Sequence, residues 1–205
     1  MQIKNLQSGV SLGQIEFHGS PFLITDMVFT NAGDCLFSVL ENSHHSWISV
    51  LTAGLVHPLD GIEWQNSTAS RLALSPDQTM LYASNHEASF IYTIGWLQDL
   101  KNPIVQRFGE LEKPFSGNAA VGGMCVDTNG WLYVATSLGI QVLDQAGRVN
   151  FILPTPKPAL DVCFGGKDLS ELFIACGDTI YKRPTKAKGV VSGQQPPIMP
   201  PAPKL

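Results

Sequence analysis

Short apolar runs alternate with polar turns along this chain, and one arrangement recurs four times. The copies are Met27-Val28-Phe29 with Leu36-Phe37-Ser38-Val39, Leu72-Ala73-Leu74 with Leu81-Tyr82-Ala83-Ser84, Met124-Cys125-Val126 with Leu132-Tyr133-Val134-Ala135, and Val162-Cys163-Phe164 with Leu172-Phe173-Ile174-Ala175. Each is a brief apolar strand, a turn, then Leu-aromatic and two small or apolar residues. The second-strand leucines are 45, 51 and 40 residues apart. Self-similarity at that period predicts stacked four-stranded units, the blades of a β-propeller. In such a fold the first strands converge on a central tunnel, so the chemistry is expected there.

The turns support this reading. Asn31-Ala32-Gly33-Asp34, Ser75-Pro76-Asp77-Gln78, Asp127-Thr128-Asn129-Gly130 and Gly165-Gly166-Lys167-Asp168 separate first from second strands. They are rich in residues that tolerate or favour tight turns. Third strands are predicted at 47–51, 90–94, 140–143 and 179–182, and a fourth strand near 149–153. Residues 1–23 read as a strand-bearing segment outside the blades, with a strand at 14–17. A helical turn is expected only at 96–101. Blades fill residues 24–184. Beyond them, Pro196, Pro197, Pro200, Pro201 and Pro203 cannot donate to a ladder, so residues 185–205 are expected to be an extended, loosely ordered tail.

Composition narrows the function. A formal net charge of −4 with 15% charged residues argues against a nucleic-acid or anionic-membrane surface, which need clustered Lys and Arg. No apolar run is long enough to span a bilayer. The first ten residues lack the apolar stretch of a signal peptide, so a cytoplasmic location is expected. Cys35, Cys125, Cys163 and Cys176 have no CxxC spacing and read as reduced, small core residues.

The ordered motifs carry a resemblance. Leu72-Ala73-Leu74-Ser75-Pro76-Asp77, Gly123-Met124-Cys125-Val126-Asp127 with Leu132-Tyr133-Val134-Ala135-Thr136, Gly139-Ile140-Gln141-Val142 with Gly147-Arg148, and Cys163-Phe164-Gly165-Gly166-Lys167 resemble successive blades of the SMP-30/gluconolactonase/LRE family. The resemblance is close over 69–190 and looser over 22–60. It implies a six-bladed propeller holding calcium or zinc in its tunnel and hydrolysing lactones or related esters, the metal polarising the carbonyl and activating water. The family holds the metal with a Glu in its first blade, an Asn before the Leu-Ala-Leu-Ser-Pro-Asp motif and an Asp before Gly-Met. A further Asn contacts substrate.

Transferred by position, the ligand Asn falls on Ser70, and the glycine after it on Arg71. The ligand Asp falls on Gly122, and the substrate Asn on Thr25, followed by Asp26. The ligand Glu has no counterpart. A hard cation wants several oxygens, most of them charged, so no bound metal is expected. Calcium or zinc enters only under a catalytic reading. Restoring divalent binding by Ser70→Asn with Gly122→Asp is expected to need removal of Arg71 as well.

The inner ring is expected to be Thr25-Asp26, Ser70-Arg71, Gly122-Gly123 and Leu160-Asp161, with Asn85 and His86 nearby. Asp26, Arg71 and Asp161 are read first as a structural ion network, and second as a site for a small anionic ligand. His44 and His45 read as a solvated loop pair, and Asn66-Ser67-Thr68 as an incidental sequon. Two functions stay open. One is a degenerate, non-catalytic propeller acting as a binding module or as part of a larger protein. The other is a metal-dependent lactone or ester hydrolase with a rearranged or partner-completed site. Because four blades leave two open flanks, a homodimer or a fusion-partner domain is expected to cover them.

Overall fold

The computed structural model describes residues 2–4, 11–14, 23–42, 45–53, 55–65, 70–85, 89–95 and 102–203. The strands are all antiparallel to their neighbours. β1 (Gln2–Lys4) pairs with β2 (Ser11–Gln14) as a separate ribbon. The first blade runs β3 (Leu23–Phe29), β4 (Cys35–Asn42), β5 (His45–Thr52) and β6 (Leu55–Gln65). The second runs β7 (Ser70–Leu74), β8 (Met80–Asn85), β9 (Phe90–Gly95) and β10 (Ile104–Glu110). The third runs β11 (Met124–Val126), β12 (Leu132–Thr136), β13 (Gly139–Leu143) and β14 (Val149–Leu153). The last has three strands, β15 (Asp161–Gly165), β16 (Glu171–Cys176) and β17 (Thr179–Pro184).

The all-β propeller expected from the repeat is thus observed. Two details differ. The fourth blade has three strands rather than four. His45 opens β5 rather than standing in a loop. Residues 15–17 of the expected early strand and the helical turn expected at 96–101 lie outside the described residues.

The alternation that marks each strand is what packs blade on blade. Within an inner strand, successive side chains face opposite neighbours. Leu72 and Leu74 pack with Val28 and Leu36 between blades one and two. Ala73 turns the other way, to Met124 and Val126 between blades two and three. Val162 and Phe164 then meet Tyr133 and Cys125 between blades three and four. The four repeated leucines Leu36, Leu81, Leu132 and Leu172 are at most 1% exposed. Burial of each contributes about 2 kcal/mol, which explains why the repeat is written in leucine.

Turns are pinned by carboxylates. Between β13 and β14, Asp144 Oδ1 accepts the amides of Ala146 (2.9 Å) and Arg148 (3.1 Å), and Oδ2 accepts Arg148 Nε (2.9 Å). Burial alone would raise the Asp144 pKa, but bonds from Asn150, Arg148 and Ala146 outweigh it and hold the pKa at about 2. A depressed carboxylate contributes stability that is complete above the unfolded-state pKa and is lost as pH falls through the folded one. Wild-type stability should therefore drop between about pH 4 and about pH 2. Solvent screening of the exposed Arg148 limits this contribution to about 1 kcal/mol. Asp144→Asn is expected to flatten that acid limb, measured as urea midpoints across the same range. An unchanged acid limb would remove Asp144 as its source.

The tail corrects an expectation. Residues 185–203 are not loose but run beneath the blades as a strap. Gly189 N donates to Leu169 O of blade four (2.8 Å), Thr128 N of blade three donates to Lys188 O (2.8 Å), and Val190 N donates to Val126 O (3.2 Å). Ser192 Oγ donates to Phe29 O of blade one (2.7 Å). The chain then turns back, with Ile198 N on Pro76 O (2.8 Å) and Gln145 Nε2 on Pro201 O (2.7 Å). Proline lacks only the donor, so the carbonyl of Pro201 and the amides of non-proline residues still do the tethering.

Candidate functional site

The inner strands β3, β7, β11 and β15 stand side by side in that order, and all four contribute to the wall of one central cavity, the tunnel of this fold. Each enters at the same level, so Asp26, Arg71, Gly123 and Asp161 mark one mouth. One residue further along begins a cavity of about 560 Å³. Its wall includes Met27, Leu72, Met124, Cys163 and Phe164, and the strap segment 190–194 forms part of its lining at the far ends of the inner strands. The site is a charged mouth over a largely apolar tunnel.

The mouth is interlocked between blades. Asp26 Oδ2 accepts the amide of Leu72 on the next blade (2.8 Å), and Oδ1 accepts that of Met27 (2.8 Å). Burial raises the pKa of Asp26. The two amides and the Arg71 charge oppose the rise, and Asp161 adds to it. Arg71 Nη1 reaches back to Thr25 O at 3.4 Å. Thr25 Oγ1 is bonded to Ser38 Oγ (2.8 Å). On the other side, Asp161 Oδ1 accepts the amide of Val162 (2.8 Å), and its carboxylate lies over Gly123, where any Cβ would collide with it.

The structure places Thr25, Asp26, Arg71 and Asp161 at one mouth. It does not join them into the expected ion network. Among the described residues no ion pair links Arg71 to Asp26 or Asp161. Arg71 meets a carbonyl, and Asp26 spends both oxygens on backbone amides. Ser70 and Asn85 are backbone partners across β7 and β8. His44, His86 and the sequon 66–68 lie outside the described residues.

Gly122 carries the clearest consequence. A Cβ there would collide with the carbonyl of Leu160 and stand 3.3 Å from Ala135 Cβ. The surrounding backbone is tied: Gly122 N donates to Ala135 O (2.8 Å), Gly123 N to Leu160 O (3.0 Å) and Leu160 N to Ala175 O (2.8 Å). The space for a side chain is filled by main chain. The donor set does not fit calcium or zinc: a glycine without room for a carboxylate, Asp26 with both oxygens on amides, and Asp161 with one oxygen left over leave too few charged oxygens for a hard cation. No group of three His, Cys, Asp or Glu among the described residues is arranged for a metal.

The cysteines also differ from expectation in part. Cys35 and Cys176 are buried, but Cys163 is exposed at the tunnel wall and Cys125 is half-buried. The Cys125 thiol is pushed well up by burial and by the neighbouring Cys163 and Asp161, against a lowering bond from the Phe164 amide. Burial and Asp161 likewise raise Cys163. Neither is a thiolate nucleophile at neutral pH.

Sequence reasoning missed Gln78. It adopts a left-handed backbone (φ 58°) where the corresponding turns use Gly33 and Gly130. That conformation costs a non-glycine residue about 1 kcal/mol. The buried Gln78 side chain offsets it: Oε1 accepts Asn31 N (2.8 Å), and Nε2 donates to Ser192 O (3.0 Å) and Gln195 O (3.1 Å). A long amide at a turn position built for glycine was the available signal.

Four antiparallel sheets with their first strands side by side define a β-propeller. The chain belongs to the SMP-30/Gluconolactonase/LRE-like family, whose profile matches residues 22–177. Regucalcins of Sus scrofa and Oryctolagus cuniculus are each 41% identical over 58 residues, 26% of this chain and 19% of theirs. The fold is similar to a calcium-binding regucalcin from Agrobacterium tumefaciens, at TM-score 0.73 and 15% identity over 93% of this chain and 71% of that one. It is also similar to a gluconolactonase from Xanthomonas campestris, at TM-score 0.69 and 21% identity over 87% of this chain and 62% of that one. The matched stretch thus spans about a fifth of the curated relatives' length. No helix among the described residues is long and apolar enough to cross a membrane.

Proposed function

We propose that this chain is a ligand-binding member of the family in which the tunnel no longer supports metal-dependent lactone hydrolysis. The observation that carries the reading is the closure of the Gly122 position by the Leu160 carbonyl. A substituted ligand can be tolerated in a metal site when a neighbour supplies the oxygen. A position whose side-chain volume is filled by hydrogen-bonded backbone leaves no room for one. The Arg71 charge at the mouth disfavours a divalent cation further. What remains is a small-molecule pocket, because polar groups converge over an apolar cavity of ordinary ligand size.

The test is elemental analysis of the dialysed protein together with a gluconolactone hydrolysis assay in added calcium and in added zinc. The expected result is no stoichiometric metal and no rate above the uncatalysed reaction. One tightly held equivalent, or metal-dependent turnover, would establish the hydrolase reading instead.

A further inference from the structure

We propose that the tunnel mouth recognises a zwitterionic amino acid with an apolar side chain, its carboxylate on Arg71, its ammonium on Asp161 and its side chain in the cavity below. This rests on the reading of the tunnel as a ligand site and names the ligand class.

The first observation is the state of Arg71. A guanidinium carries five N–H donors. Among the described residues this one makes a single long bond, from Nη1 to Thr25 O at 3.4 Å, while its Nε is buried with no acceptor. A charged donor left without a partner away from water is costly unless something supplies one. Asp26 is not that partner, because the amides of Met27 and Leu72 occupy its two oxygens.

The second observation is Asp161. Its Oδ1 accepts the Val162 amide, its Oδ2 carries no bond among the described residues, and the residue is exposed at the mouth. Arg71 and Asp161 stand on blades two and four, with the inner strand of blade three between them. Among the described residues the mouth therefore presents under-used Nη donors of Arg71 on one side and the unbonded Oδ2 of Asp161 on the other. The geometry selects against simpler ligands. A lone carboxylate reaching Arg71 would face Asp26 and Asp161. A lone amine at Asp161 would leave Arg71 unmet. A zwitterion answers both and adds no net charge. Below the mouth, Met27, Leu72, Met124 and Phe164 offer an apolar wall in a volume that accommodates one amino-acid side chain.

The experiment is calorimetric titration of the full chain with L-leucine, L-methionine and L-phenylalanine, against isocaproate and isoamylamine. The last two keep the leucine skeleton but lack the amine and the carboxylate respectively. At least one amino acid should bind about tenfold or more tighter than either single-charge analogue. Arg71→Met should erase the preference over isoamylamine, and Asp161→Asn the preference over isocaproate. The panel on the unsubstituted protein decides the matter even where a variant folds poorly. If isocaproate or isoamylamine binds as tightly as the amino acids, the zwitterion assignment is overturned while the tunnel remains a ligand site. If none of the five binds, the assignment is also overturned. Metal-dependent lactone hydrolysis would instead overturn the underlying reading, and the separate metal and turnover assays detect it.

Discussion

Removing residues 191–205 is expected to lower the stability of this protein by about 2–4 kcal/mol. The strap lies outside every sheet, so the loss comes from what it leaves behind. Gln78 is buried, and its Nε2 has two acceptors, Ser192 O and Gln195 O, both in the deleted segment. Stripped of them, the amide exchanges two protein acceptors for water, a net loss of about 0.5–1.5 kcal/mol for each bond. Deletion also removes the Ser192–Phe29, Ile198–Pro76 and Gln145–Pro201 bonds. These contribute less, because ordering a dozen residues opposes them. Gln78→Ala should reproduce most of the loss. Gln78→Gly should cost less than Gln78→Ala, because glycine relieves the left-handed strain while losing the same bonds. Urea unfolding followed by tryptophan fluorescence would show this as a lowered midpoint. A truncated chain unfolding at the wild-type midpoint would mean the strap contributes nothing to the fold.

Gly122→Asp is expected to cost about 3 kcal/mol and to gain no metal. Overpacking usually costs about 1–3 kcal/mol, because side chains can shift to other rotamers. Here the obstacle is the Leu160 carbonyl, held in place by Gly123 N, with Leu160 N held in turn by Ala175 O. The main chain between blades three and four must move, or the substituted side chain must point away from the tunnel. For that reason the triple change Ser70→Asn, Arg71→Gly and Gly122→Asp should still fail to bind calcium or zinc. From the sequence alone, removing the repelling guanidinium is expected to give measurable though weak divalent binding, because the ligand Glu has no counterpart. The structure replaces that electrostatic expectation with a steric one. Titration calorimetry on the triple variant, with its urea midpoint measured alongside, separates the two. Stoichiometric divalent binding by a folded triple variant would show that the Leu160 backbone yields.

The blades were legible in the sequence because their information is local. A strand alternates with period two, and a hairpin turn needs its special residues within four positions. Leu36, Leu81, Leu132 and Leu172 announce the unit wherever it occurs. The inner ring followed from the same repeat, and Thr25, Asp26, Arg71 and Asp161 do share a mouth. Their pairing did not follow. Whether Asp26 meets a guanidinium or an amide depends on angles between strands 46 positions apart in sequence. The proline-rich tail was misjudged for a related reason. Its composition excludes a ladder but says nothing about tethers, and those tethers reach across as many as 163 positions. A glycine at 122 reads in sequence as a lost ligand that could be put back. Only the packing of blade four against blade three shows that main chain now occupies the place. Repetition therefore determined the architecture and the level at which the first strands meet, while contacts between distant segments decided how the residues there pair and how much room they leave.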